Sequence, residues 1–248
     1  MTCEACNTIP PVIAVGYEPK GKWEELGGLK TYITGDEAIA TKGIVDVYDI
    51  FGIATQTLQG ADRLAAALGA VVLVPDFFKG DKAEGVWFTD PSPENDAKKS
   101  AFMAKAMAFE PFLPALEGVV QAAKGRFQKI GSWGGLGLCW GGKVLALSSG
   151  PGTLFSVTGQ VHPGKLAAED AEKITIPHIV LASNGEDPAV VAEYKRILEG
   201  EGKPGVVDTY PTMFHGWMGA RANLENEDNL KEWKRGYNQV AEFFAKHL

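Results

Sequence analysis

Seven short apolar runs, at 29–34, 43–48, 70–75, 130–138, 155–161, 178–183 and 206–210, alternate with longer stretches of helical period. No other feature constrains the fold as strongly. Runs that are apolar throughout suit strands buried on both faces of a parallel sheet, with helices as the crossovers. Between the runs, Leu58, Ala61, Leu64, Ala65 and Leu68 recur at helical spacing and stop at Gly69, a natural left-handed cap. Val190, Tyr194, Ile197 and Leu198 repeat the pattern, opened by Asp187-Pro188 as cap and first-turn proline and closed by Gly200. A stripe of Leu230, Trp233, Tyr237, Val240, Ala241 and Phe244 predicts a C-terminal helix closing one face of the sheet. No linker, charge block or internal repeat divides the chain, so residues 29–248 read as one α/β domain and residues 1–28 as a tail and lead-in. Residues 78–107 are the least patterned and are expected to cover one end of the sheet, where a pocket can form.

Charge narrows the partners. Among 248 residues, 24 Lys and Arg stand against 31 Asp and Glu, a net −7 with no basic run, which is the wrong footprint for nucleic acid or an anionic membrane. The N-terminus carries Glu4 and no basic group ahead of an apolar core, and the charge-free stretch 144–164 is broken by Gly150, Pro151, Gly152 and Gly159. Neither a secretory signal nor a bilayer span is expected, and the chain reads as cytoplasmic. Three cysteines are too few for a disulfide framework. Cys3 and Cys6 form a C-x-x-C without a second ligand pair, so they read as a tail and no metal is expected.

The chemistry concentrates in residues 129–150, where an apolar strand runs into Gly137-Leu138-Cys139-Trp140-Gly141 and then into Gly142-Lys143-Val144-Leu145-Ala146-Leu147 at helical propensity. A G-x-C-x-G turn between strand and helix forces its central residue into a strained conformation and exposes it above the sheet edge. A thiol there lies at a helix N-terminus, whose free N–H groups favour the thiolate. Gly137 to Lys143 also has the spacing of a phosphate-binding loop, but Val144 stands where that loop needs Ser or Thr for magnesium. A nucleophile needs a base, and His215, in Met213-Phe214-His215-Gly216 after the last strand, is placed for it; His162 also ends a strand but precedes the acid segment. Ser183-Asn184-Gly185-Glu186-Asp187 supplies an acid, either Asp187 or its neighbour Glu186. Asp187 is preferred because a helix cap would hold its carboxylate in a fixed direction. The order Cys139, Asp187, His215 is nucleophile, acid, base.

With these residues placed, the sequence resembles the dienelactone hydrolase (carboxymethylenebutenolidase) family of α/β-hydrolases. The resemblance is carried by Gly137-Leu138-Cys139-Trp140-Gly141-Gly142, Tyr48-Asp49-Ile50-Phe51-Gly52, Pro75-Asp76-Phe77-Phe78-Lys79-Gly80 and Phe214-His215-Gly216. It implies an α/β-hydrolase fold, a mostly parallel sheet of about 7–8 strands with helices on both faces. It also implies an oxyanion hole made by the backbone N–H groups of Ile50 and Trp140. Family members carry glutamate, in contact with the resting cysteine, where this chain has Asp49. They hold a substrate carboxylate with arginines, whose counterparts here are Lys79 and, displaced by an insertion around Trp217, Arg221.

The expected reaction is hydrolysis of a lactone or activated ester through a thioester on Cys139, with no metal or organic cofactor. Expected partners are a small-molecule ester and at most a second copy of the chain. One rival is a broad carboxylesterase or thioesterase with Phe77, Phe78, Trp87, Phe88 and Trp217 around its pocket. The other is a binding or redox-sensing protein on a hydrolase scaffold.

Overall fold

All seven apolar runs become strands in a computed structural model that describes residues 9–12, 16–200, 202 and 204–248. Cys3 and Cys6 lie outside the described residues. The runs correspond to β2 (Leu29–Thr34), β3 (Lys42–Val47), β4 (Val71–Pro75), β5 (Ser132–Leu138), β6 (Val157–Val161), β7 (His178–Ala182) and β8 (Gly205–Thr209). The sheet begins earlier than Leu29, because β1 (Lys22–Leu26) hairpins onto β2 through Gly27-Gly28, both at positive φ. The lead-in therefore supplies an edge strand. Its exposed, charge-rich pattern explains why hydrophobicity did not reveal it.

The order β1-β2-β4-β3-β5-β6-β7-β8 contains two antiparallel pairs, β1 with β2 and β2 with β4; all other neighbours are parallel. Parallel neighbours need crossovers, and the helices are α1 (Thr55–Leu68), α2 (Val86–Thr89), α3 (Pro93–Ala106), α4 (Phe112–Arg126), α5 (Trp140–Leu147), α6 (Ala168–Lys173), α7 (Pro188–Gly200) and α8 (Glu227–His247). α1 and α8 pack together, α8 laying its predicted stripe against the sheet, while α4 to α7 follow one another as neighbours. Consecutive β5 residues mark the two faces: Gly134 faces Phe244 of α8, and Gly135 faces Leu145 of α5. α1 ends where expected, on Gly69 in the left-handed conformation. Among the described residues no helix is long and apolar enough to cross a membrane.

One polar chain runs through the core on the α5 side. Gln160 Nε2 donates to His178 Nε2 (2.9 Å) and to the Tyr194 hydroxyl (2.8 Å). His178 therefore carries its proton on Nδ1, which donates to Thr158 Oγ1 (2.7 Å); that hydroxyl donates to Ser149 Oγ (2.7 Å), and Ser149 donates to the Leu145 carbonyl (2.6 Å). Each member of this line has at least one hydrogen-bond partner, which is what makes a buried polar line tolerable.

Burial pulls the His178 pKa from 6.5 down to about 3. The unfolded chain binds a proton near 6.5 and the folded chain only near 3, so this stability contribution is complete above pH 6.5 and is lost as the pH falls toward 3. Denaturant titrations should show stability falling over that window by up to about 1.4 kcal/mol per pH unit from this residue. In His178→Gln the decline should be shallower.

Candidate active site

The carboxyl ends of β3, β5, β6, β7 and β8 converge on one edge of the sheet, the edge where open α/β folds bind ligands. Cys139 sits between β5 and α5 with φ 51° and ψ −107°. Two close approaches enforce this turn. A Cβ on Gly137 would meet the Gly141 carbonyl oxygen at 2.2 Å, and one on Gly141 would meet the Val47 carbonyl oxygen at 2.0 Å. Only glycine fits at either position. The Cys139 N–H donates to the Val161 carbonyl (3.0 Å), and its own carbonyl accepts from Gly142 (3.1 Å) and Gly164 (2.9 Å), so β6 and its following loop hold the reversal in place.

His215 lies in the loop after β8 and turns its Nδ1 to Glu186 Oε1 at 2.7 Å, both side chains only 5% exposed. Glu186 Oε2 accepts from the Ser183 amide. The loop carrying Glu186 is tied to the one carrying His215 by Asn184 N–H donating to the Met213 carbonyl at 2.8 Å. Burial pulls the His215 pKa down, but its interactions with Cys139 and then with Glu186 outweigh it, and the ring is held well above its ordinary value. Nε2 faces the sulfur without meeting strict hydrogen-bond geometry, as is common before a substrate closes a site.

Asp187 is not the partner of this histidine. It is exposed and accepts from the Ala189 N–H at 2.8 Å at the start of α7, so the cap that made it attractive holds its carboxylate on the helix and away from the imidazole. Glu186, one residue earlier and one methylene longer, reaches inward. Sequence order admitted both; only the path of the chain separates them.

A cavity of about 500 Å³ opens beside Cys139 and His215. Ile50 and Trp140 line it. Trp140 is the first residue of α5, where the amide has no partner inside the helix. The turn carrying Ile50 is pinned by Asp49, whose Oδ1 accepts from Phe51 N–H and Oδ2 from Ala220 N–H, both at 2.9 Å. Both Asp49 oxygens are thus engaged, and this buried carboxyl does not line the cavity. The walls are mainly apolar: Phe88, Met103, Met107, Phe109, Leu166 and Val190. Met103 and Met107 come from the poorly patterned segment that was expected to cover this end.

The other binding residues expected from the resemblance lie elsewhere. Lys79 is exposed in the turn after β4, at φ 56°. Arg221 is 1% exposed, donates from Nε to the Ile9 carbonyl and lies 4.5 Å over the Phe51 ring. Trp217 is fully buried, stacked 4.5 Å from Tyr210. Of the aromatic residues suggested for a broad pocket, Phe88 lines it, whereas Phe77 and Phe78 pack around the buried Trp140 ring. The lysine at the cavity is Lys165, on the loop after β6, with its ammonium 5.8 Å from the Phe109 ring centre. Sequence reading passed it over because a lone lysine in a loop carries no pattern.

A mostly parallel eight-stranded sheet with a sharp strand-to-helix turn after its central β5 is the α/β-hydrolase fold. The chain belongs to the dienelactone hydrolase family, whose model matches residues 29–248. An uncharacterized AIM2 family protein of Schizosaccharomyces pombe is 32% identical over 232 residues, 92% of each chain. A hydrolase of Aspergillus violaceofuscus is 24% identical over 93% of this chain and 92% of its own. Among solved structures, a putative dienelactone hydrolase from Klebsiella pneumoniae superimposes with a TM-score of 0.68 at 18% identity, over 88% of this chain and 92% of that one.

The electrostatics separate the two acids experimentally. In a nuclear magnetic resonance titration, Glu186→Gln should lower the His215 pKa, because it removes upward contributions from both charge and hydrogen bond. Asp187→Ala should leave that pKa in place and cost about 1 kcal/mol of stability through the lost cap. An unchanged His215 titration in Glu186→Gln would contradict the assignment.

Proposed function

We propose that this member of the dienelactone hydrolase family cleaves lactones or activated esters with Cys139 as nucleophile. The observation carrying this reading is one imidazole, His215, set between the Cys139 sulfur and the Glu186 carboxylate beside an apolar cavity. The Cys139 proton passes to His215 Nε2. The thiolate then forms a bond to the ester carbonyl carbon, and the oxygen charge that develops is received by the Ile50 and Trp140 N–H groups. One such donor is typically worth about 3 kcal/mol in acyl transfer. When the C–O bond breaks, His215 returns the proton to the departing alkoxide, leaving a thioester on Cys139. His215 next takes a proton from water, the hydroxide adds to the thioester carbon, and the C–S bond breaks with its electron pair going to sulfur, which recovers its proton from His215 as the acid departs. Glu186 holds the ring and balances its charge throughout.

Cys139→Ala should lower kcat/KM for aryl esters and for a dienelactone by at least about 10³-fold, since a unit of nucleophile and base fails when either is removed. Hydrolysis at the original rate would eliminate the reading.

The cavity walls favour a second, broader version, a carboxylesterase for bulky apolar acyl groups, because Phe88, Met103, Met107 and Phe109 surround the space. Lys165 decides between the two. It is the one Lys or Arg among the described residues lining the cavity, and no carboxylate of the described residues forms an ion pair with it. A substrate carboxylate near Phe109 would find its partner there. Acidic esters should then be preferred over their methyl-capped counterparts by about tenfold in kcat/KM, and Lys165→Gln should bring the ratio close to one. A ratio near one in the unmodified protein would favour the broad carboxylesterase.

A further inference from the structure

His162 is the residue after β6, fully buried, and it meets the catalytic ring: its centroid lies 5.2 Å from that of His215, at an interplanar angle of 66°. Three features make it an unfavourable residue on packing grounds alone. Its φ is 38°, in the left-handed region. The next residue is Pro163, whose ring restricts the backbone of the residue before it. Neither ring nitrogen reaches a hydrogen-bonding group of another residue among those described. An apolar side chain would avoid the last of these, and glycine the first.

Strain of this kind persists where the surroundings over-determine it, and here the surroundings are the nucleophile. The His162 N–H donates to the Leu181 carbonyl at 2.8 Å. On either side of it, Val161 accepts from the Cys139 N–H at 3.0 Å and Gly164 donates to the Cys139 carbonyl at 2.9 Å. The backbone that holds the sulfur in place also drives the His162 imidazole beneath the His215 ring.

We propose that His162 is a positioning residue that braces the His215 imidazole edge to face and keeps its Nε2 directed at Cys139. The brace works because it is uncharged. Burial and the charge of His215 hold the His162 pKa well below its ordinary value, and Arg221 pushes in the same direction. The other titratable groups nearby are Asp49, across the Gly219 backbone, and Cys139 and Glu186 on the far sides of His215. A neutral aromatic ring can lie against an imidazolium at contact distance, whereas a second cation there would oppose it.

This inference rests on His215 being the catalytic base, and the test keeps the two apart. His162→Leu, His162→Phe and the unmodified protein are compared in three measurements: kcat and KM on an aryl ester, the pH dependence of Cys139 alkylation by iodoacetamide, and thermal stability. Removing the ring should lower kcat about tenfold or more with KM little changed, the signature of a misdirected catalytic group. Half-maximal alkylation should move to higher pH in His162→Leu, because a loosened imidazole supports the thiolate less. Phenylalanine, which preserves the edge-to-face contact, should restore most of both readouts. The proposal is overturned if His162→Leu retains the parental kcat and alkylation profile, or if its activity falls only with its melting temperature while alkylation is unaltered. Equal defects in the leucine and phenylalanine variants would also overturn it. If the parent hydrolyses no ester, the functional reading fails on its own account, and the alkylation profile still reports on His162.

Discussion

The reversal of the backbone at Cys139 is the constraint to which the rest of the site is referred. A residue with a side chain is held at φ 51° between a strand and a helix, and the glycines on either side bring that helix within contact of β5 and of the end of β3. Conformations of this kind cost on the order of 1–3 kcal/mol and survive only when the surrounding packing leaves no alternative. Here the restraint comes from neighbouring strands: β6 takes the Cys139 N–H, the loop after β6 supplies a donor to its carbonyl, and Gly141 N–H donates to the Tyr48 carbonyl at the end of β3. The sulfur is therefore located by the sheet itself.

A second level of organisation grows from the residue after the cysteine. The Trp140 indole donates to the Ala106 carbonyl at 2.7 Å and is enclosed by Tyr48, Phe77, Phe78, Phe109 and Phe112. Tyr48 extends the contact, its hydroxyl donating to Asp76 at 3.0 Å and accepting from the Phe78 N–H at 2.7 Å. The segment from β4 to α4 is thereby anchored by aromatic packing to the same turn that carries Cys139. On the opposite side, Asp49 clamps the Ile50 turn to the loop that follows His215, and Val12 adds a bond to Ala220. The side chains of Tyr48, Asp49 and Asp76 thus join loops to one another, while Ile50 in the same stretch lines the cavity.

Much of this was legible along the chain. The strands came from continuous apolar runs, α1, α7 and α8 from helical period with their caps, and the elbow from two glycines around a cysteine. His215 stood out because it follows the last strand. The choice between Glu186 and Asp187 was not legible, since adjacent carboxylates have the same chemistry and differ only in whether the chain points them inward or onto a helix end. The basic residues failed for a related reason: Lys79 and Arg221 were aligned through motifs, and a motif does not say whether a long side chain turns toward a cavity or folds under its own loop.

Sequence by itself determined the alternating α/β order, the position of the strained turn and the residues able to serve as nucleophile and base, because these depend on local pattern and on glycine being the only residue that fits certain approaches. Tertiary structure alone decided which acid meets His215, that Lys165 and the methionines of α3 and its C-terminal cap line the cavity, and that His162 lies against the His215 ring. Each of those contacts joins separate strand ends or loops. Their distances are set by how the sheet stacks and where each loop turns, which no periodicity in a single chain encodes.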